Sequence, residues 1–332
     1  MFLVILACQC FGMEDDLIGV WLRLNPDALA DPVPGMAEAG LLAPQPSYAA
    51  IARMKAAIVA RTGLLGLASV WGGRQLVYRH FLAQGTEAQR AAWAGKALSV
   101  AISEPEVGAH PKLLTTKAER TEAGWRIEGR KAWVTNGPSA DAVIVFAVTE
   151  ERLGRKRYGA FIVPAGTSGM TMMDMPGFHA LRPSRHCLLT LAGCGVPAEA
   201  VLGEVGSAYD RMALPFRDVE DAVGTFAILG ALRFGVARVE GDAAEVGAIV
   251  ALTSVYEAAA EAVVASLDAG RFQNGDATLV GLRVLALDVV ERLKALGGET
   301  ELTRDLDAVL AIARGPRLAR QARLGEGVRR RS

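Results

Sequence analysis

Ala101-Ile102-Ser103-Glu104-Pro105-Glu106-Val107-Gly108 and, a strand and a turn later, Gly129-Arg130-Lys131-Ala132-Trp133-Val134-Thr135-Asn136-Gly137 decide how this chain is read. Between them Trp125-Arg126-Ile127-Glu128 alternates apolar and polar residues, the period of a half-buried strand. Ser103 and Thr135 then fall at strand ends. Trp133, two residues before Thr135, shares its face, because strand side chains alternate. An aromatic plate beside a hydroxyl suits a flat heteroaromatic ligand, which stacks on the ring and takes a hydrogen bond from the hydroxyl. A strand tryptophan in a hydrophobic core is the competing reading.

Outward from this stretch the chain changes character twice. Residues 1–98 read as helical, with apolar periodicity through Ala49–Leu67, Gln75–Leu82 and Glu87–Trp93, and with Thr86 as an N-cap. Residues 99–204 carry short apolar runs between turn signals: Ser99–Ile102, Ala142–Thr149, Gly159–Pro164 and Cys187–Ala192. They read as a β-sandwich or small barrel. From 205 to 332 the helical period returns through Val219–Val239, Ala243–Leu267, Thr278–Leu296 and Thr303–Arg314. Gly297-Gly298 separates the last two, and Gly315-Pro316 ends the fourth. The expected fold is α+β and multidomain: an all-α N-terminal domain, a β middle domain and a C-terminal four-helix bundle.

Composition narrows the function classes. Lys+Arg and Asp+Glu balance at 36 each, which leaves no global field for nucleic acid or a membrane surface. A hydrophobic fraction of 51% with only 6% aromatics puts the apolar content in Ala, Leu and Val, as in helices buried on more than one face or at subunit interfaces. The four cysteines, Cys8, Cys10, Cys187 and Cys194, fit neither a disulfide framework nor a thiolate metal site. His110, His179 and His186 lack ligand-spaced partners, so no metal is expected. The apolar start has no basic segment before it, and nothing reads as a membrane span, so a cytoplasmic protein is expected. Met170, Met172, Met173 and Met175 read as gap-filling core.

This order of segments and motifs resembles the acyl-CoA dehydrogenase family. The likeness runs from Glu38-Ala39-Gly40-Leu41-Leu42 and Gly85-Thr86-Glu87-Ala88-Gln89 through Ser103-Glu104-Pro105, Trp133-Val134-Thr135-Asn136-Gly137 and Val196-Pro197-Ala198-Glu199-Ala200-Val201-Leu202-Gly203. It resumes at Leu296-Gly297-Gly298, Arg304-Asp305 and Ala313-Arg314-Gly315. The resemblance implies FAD as cofactor and oxidation of an acyl-CoA thioester to its trans-2-enoyl product. A carboxylate removes the α-proton while a hydride leaves Cβ for the flavin. It further implies a homo-dimer or homo-tetramer, with a hetero-oligomer also open, and an electron-transferring flavoprotein as acceptor. Ile102, Ser103, Gly108, Ala109, Trp133, Thr135, Gly297 and Gly298 would bind the cofactor. Arg182 and Arg185 lie where relatives approach CoA phosphates, a solvated loop being the other reading.

Three departures shape the functional reading. Glu106-Val107-Gly108-Ala109-His110 stands where the family has Gly-Ala-Gly-Ser-Asp. The bundle lacks a clear Arg-x-x-Phe-Gly stretch with a following helical Gln. Arg314 stands where many relatives carry a catalytic Glu before Gly, and arginine is no base at neutral pH. Other members carry the base on the first bundle helix, with a helix glycine as the eleventh residue of the run, and Glu220 through Gly230 keeps that spacing. Glu220 is therefore the candidate base, with an acidic first turn at Asp218, Glu220 and Asp221 as the bland reading. Two further readings stay open: a partner-dependent subunit without its own activity, and oxygen-using flavin chemistry on the same scaffold.

Overall fold

A computed structural model describes residues 32–272, 277–312 and 314–329, so Cys8, Cys10 and the apolar start lie outside the described residues. The chain packs as two compact units. One comprises Ser69–His179 and Ser184–Arg217; the other comprises the chain up to Ala68, Ala180–Pro183 and the chain from Asp218 onward.

The first unit is built on eight strands: β1 (Leu98–Ala101), β2 (Lys117–Thr121), β3 (Gly124–Thr135), β4 (Ala142–Arg152), β5 (Arg155–Pro164), β6 (Met170–Asp174), β7 (His186–Val196) and β8 (Val201–Gly206). They form one sheet in the order β6-β7-β3-β2-β4-β5-β8, with β1 pairing in parallel beside β4. Trp125, Ile127 and Val134 of β3 share a single core with Val143, Val145 and Ala147 of β4, Phe161 and Val163 of β5, and Leu189 and Leu191 of β7. The rings of Trp125 and Phe161 meet at 5.2 Å although β3 and β5 are not neighbours in the sheet. The sheet therefore folds over onto itself, as a sandwich or barrel does.

The strand expectations fell near β1, β3, β4, β5 and β7, while β2, β6 and β8 went unpredicted. β2, Lys-Ala-Glu-Arg-Thr, buries only Ala118 and shows no apolar run to read. β6 carries part of the methionine cluster: Met170 and Met172 pack against the core, as expected, but Met173 is 59% exposed. An edge strand has one face without a layer to cover it.

The helices are α1 (Pro32–Glu38), α2 (Tyr48–Thr62), α3 (Leu65–Leu76), α4 (Glu87–Ala92), α5 (Leu214–Val236), α6 (Ala243–Asp268), α7 (Ala277–Gly297), α8 (Glu301–Ala311) and α9 (Arg314–Arg329). Thr86 does cap α4, in a box where Gln89 answers its backbone. Gln89 also donates to Glu199 O and Val201 O, at 2.8 and 2.7 Å. The run read as one helix over Ala49–Leu67 is two, because Gly63 sits at φ +73° and closes α2. Gly315-Pro316 starts α9 instead of ending a helix; a proline is tolerated in a first turn, where its missing N–H has no intrahelical partner.

In the second unit, α6 buries Ile249, Thr253, Tyr256, Ala260, Val263 and Val264, a stripe at helical spacing. Asp268 at its end accepts from Tyr48 N and Ala49 N, both at 2.9 Å, and so caps α2. Against the sequence expectation, α6 is long and apolar enough to cross a membrane by length and composition, with a window hydropathy of 1.6. Ala and Val off the buried stripe account for this; Val255, for example, is 59% exposed.

Candidate functional site

The opening motif is anchored by a buried ion pair. Glu104 Oε1 accepts from Lys131 Nζ at 3.0 Å and from Thr116 N at 2.8 Å, and Oε2 accepts from Thr115 N and Thr115 Oγ1 at 2.7 and 2.8 Å. Lys131 Nζ also donates to Ile102 O at 3.1 Å. The side chains are 4% and 0% exposed. Burial by itself would raise the Glu104 carboxyl, but Lys131 and the threonine donors outweigh it and hold it down at about 2. Burial draws the Lys131 ammonium down to about 8, still charged at neutral pH. Both charges are paired and hydrogen-bonded within the protein, and the pair clasps the Ser103 loop to β3.

Beside the clasp β3 is deformed. Its pairing with β7 slips between Lys131 and Val134, one extra residue on the β3 side, and Trp133 takes φ +60°. A β-bulge with a left-handed tryptophan is a strained arrangement, of the kind that re-aims a side chain. Here it turns the indole outward, 43% exposed, while Ala132 and Val134 stay buried. Thr135 is half-buried and, like Trp133, lies off the buried face. Ser103 sits next to the bulge, its carbonyl accepting from Ala132 N at 2.9 Å. Opposite Thr135 in the register stands His186. The rings of Phe178 and His186 meet the indole edge-on at 5.2 and 6.2 Å and each other at 5.1 Å. Asn136 at φ +57° closes the strand, accepting from Ser184 Oγ at 3.1 Å and donating to Ser69 O at 3.3 Å.

The loop after Pro105 is a tight turn. Glu104 N donates to Gly108 O at 2.9 Å and Gly108 N to Glu104 O at 3.0 Å. Gly108 at φ +58° has open space where a Cβ would lie, but its N–H is consumed within the turn. Glu106, at φ +66°, holds a left-handed conformation that glycine adopts without cost. The Tyr209 hydroxyl donates to Ala109 O, and the Tyr158 hydroxyl to Pro111 O, which ties down the far side.

The remaining expected residues lie in the helical unit. Glu220 is exposed on α5. Burial draws the Lys55 ammonium on α2 down to about 8, while the charge of Glu220 pulls it up. Gly230, which set the Glu220 spacing, has a packing reason of its own: a Cβ there would lie 2.4 Å from Ala56 O. Gly297 ends α7, and Gly298 at φ +71° donates to Lys294 O at 2.8 Å. Arg314, exposed, opens α9. Arg185 pairs with Asp174 at 2.9 Å. Among the described residues no group of three His, Cys, Asp or Glu is placed to hold a metal ion.

The sheet region, residues 99–194, matches the model of the acyl-CoA dehydrogenase middle domain. This sheet region is similar to acyl-CoA dehydrogenases. Mitochondrial isovaleryl-CoA dehydrogenase of Solanum tuberosum is 34% identical over 151 residues, a stretch that covers 44% of this chain and 36% of that protein. The sequence match thus spans little more than a third of the relative's length. Butyryl-CoA dehydrogenase of Megasphaera elsdenii has the same fold at 18% identity, with a TM-score of 0.75 and coverage of 91% of this chain and 94% of that one. A glutaryl-CoA dehydrogenase of Mycobacterium smegmatis, solved in complex with FADH2, superposes with a TM-score of 0.70 at 20% identity, covering 91% of each chain.

The donor set beside Trp133 suits a flavin ring. The open indole offers a stacking face, and the Ser103 and Thr135 side chains make no hydrogen bond within the described residues, leaving both hydroxyls for a ligand. Phe178 and His186 were missed as members of this cluster. The sequence places them apart from Trp133, and only the β3–β7 register brings them to it.

Proposed function

We propose that this chain is a flavin-dependent dehydrogenase of acyl-CoA thioesters that forms a trans-2-enoyl-CoA. The carrying observation is the strained, outward-facing Trp133 with the uncommitted Ser103 and Thr135 hydroxyls beside it. The cofactor is FAD, which accepts a hydride when bound. Ser103 and Thr135 would hydrogen-bond the ring, and Trp133 would pack on it and exclude water. Ile102 and Gly108 contribute the shape of the loop, since the Ile102 carbonyl and the Gly108 N–H are already engaged, and Ala109 would meet the phosphates. Gly297 and Gly298 keep a backbone turn for the cofactor. Glu220 takes the α-proton at its carboxylate. An electron-transferring flavoprotein reoxidises the enzyme. Exposed Val255, Val284 and Leu287 on α6 and α7 support a homo-oligomer.

A visible spectrum of the purified protein tests the cofactor: flavin bands are expected, and a colourless protein that takes up no added FAD would overturn the reading. Glu220→Gln should keep the flavin and lose at least ~100-fold in turnover of butyryl-CoA or isovaleryl-CoA, the scale of a general base. Arg314, standing where many relatives carry their base, supports a second reading, a subunit that works only with another dehydrogenase chain. Copurification with such a chain, together with an inactive isolated protein, would favour it.

A further inference from the structure

Around Asp221, the residue after Glu220, the helical unit gathers guanidinium groups on one carboxylate. Asp221 Oδ1 accepts from Arg283 Nη2 at 3.1 Å, and Oδ2 from Arg320 Nη1 at 2.5 Å. All three side chains are 20% exposed or less. Arg317, one turn before Arg320 on α9, donates through Nη1 to Leu310 O at 3.1 Å, while its Nε is buried without an acceptor. Burial, with Arg283 and Arg314 close by, pulls the Arg317 guanidinium below its usual range.

The charges do not balance. Arg283 and Arg320 share Asp221, Arg283 and Arg314 act on Arg317, and Asp221 is the single carboxylate bonded to any of the four among the described residues. Each of Asp221's oxygens takes one N–H, and Arg317 Nε is left buried without an acceptor. A buried N–H without an acceptor is destabilising, and like charges at close range add to that. An arrangement of this kind is completed by an anion. Planar forked donors select oxyanions, which they can grip with paired hydrogen bonds.

We propose that Arg283, Arg317 and Arg320, with Arg314 at the edge, form a binding site for an oxyanion, the phosphate or carboxylate group of a ligand. Asp221 positions two of the arginines and moderates their repulsion. The site lies within the helical unit and does not rest on the dehydrogenase reading, which gives Arg283, Arg317 and Arg320 no role.

The test is calorimetric titration of the full chain with inorganic phosphate and, separately, with glutarate, at constant ionic strength against chloride. Saturable binding of either is expected, and the tighter of the two tells a phosphoryl ligand from a carboxylate. Arg317→Gln leaves the Asp221 clamp intact and should weaken binding about tenfold or more, the worth of a charge-assisted hydrogen bond. Arg320→Lys, which keeps the charge and loses the fork, should weaken it less. No binding of either anion, or equal binding by Arg317→Gln and the parent, would overturn the proposal and leave the cluster as an interhelical clamp.

Discussion

Trp133 and Glu104 show how one residue can be held in place by different means. The indole sits at φ +60°, a conformation costing roughly 1–2 kcal/mol for a side-chain-bearing residue, and 43% of it faces outward. Replacing Trp133 by Ala should therefore change the urea midpoint little, while flavin affinity falls about tenfold or more, as lost aromatic stacking would give. Equal losses of stability and of flavin would make Trp133 a packing residue. Glu104 works through charge. Its carboxyl titrates at about 2 when folded and near ~4.3 when unfolded, a depressed value. The stabilisation is therefore fully present above the unfolded value and is lost as the pH falls from about 5 toward 2. Urea midpoints between pH 7 and pH 3 should fall for the parent protein and fall less for Glu104→Gln. Lys131→Met should cost ~3–5 kcal/mol, because it strands a buried carboxylate.

Elements meet at glycines and polar threads as much as at apolar faces. On α5, Gly230 lets the backbone of α2 approach so closely that a Cβ would lie 2.4 Å from Ala56 O. Gly230→Ala should destabilise by about 1–3 kcal/mol, the range for an overpacked contact, read as a shift in the unfolding midpoint. An unchanged midpoint would mean the two helices part freely. The same residue shows the limits of spacing arguments. The interval from Glu220 to Gly230 points to a catalytic helix, yet the glycine also has a purely structural reason to be there. Helix periods and caps were legible where apolar residues recur and where Thr86 precedes Glu87. β2 and α9 were not, since one is nearly all polar and the other opens on Gly315-Pro316, which reads as an ending.

For the molecule as a whole, 36 basic and 36 acidic side chains give no net charge, with an isoelectric point near 6.9. With little electrostatic repulsion between copies at that pH, light scattering should peak close to pH 7 and drop on either side. A flat profile would show that exposed apolar side chains such as Val255 and Val284 are not limiting.

The amino-acid sequence by itself determined the succession of helices, strands and helices and the motif that joins Ser103 to Thr135. Both are local: period, capping and turn chemistry are written within a few residues of one another. Tertiary structure alone decided that Trp133 faces outward on a bulge, that Phe178 and His186 join it, and that Lys131 closes on Glu104. It also drew Arg283 and Arg320 onto Asp221, with Arg317 beside Arg283. These depend on pairings between residues far apart in the chain. They are set by strand register and helix packing, where a shift of one residue would send each side chain elsewhere.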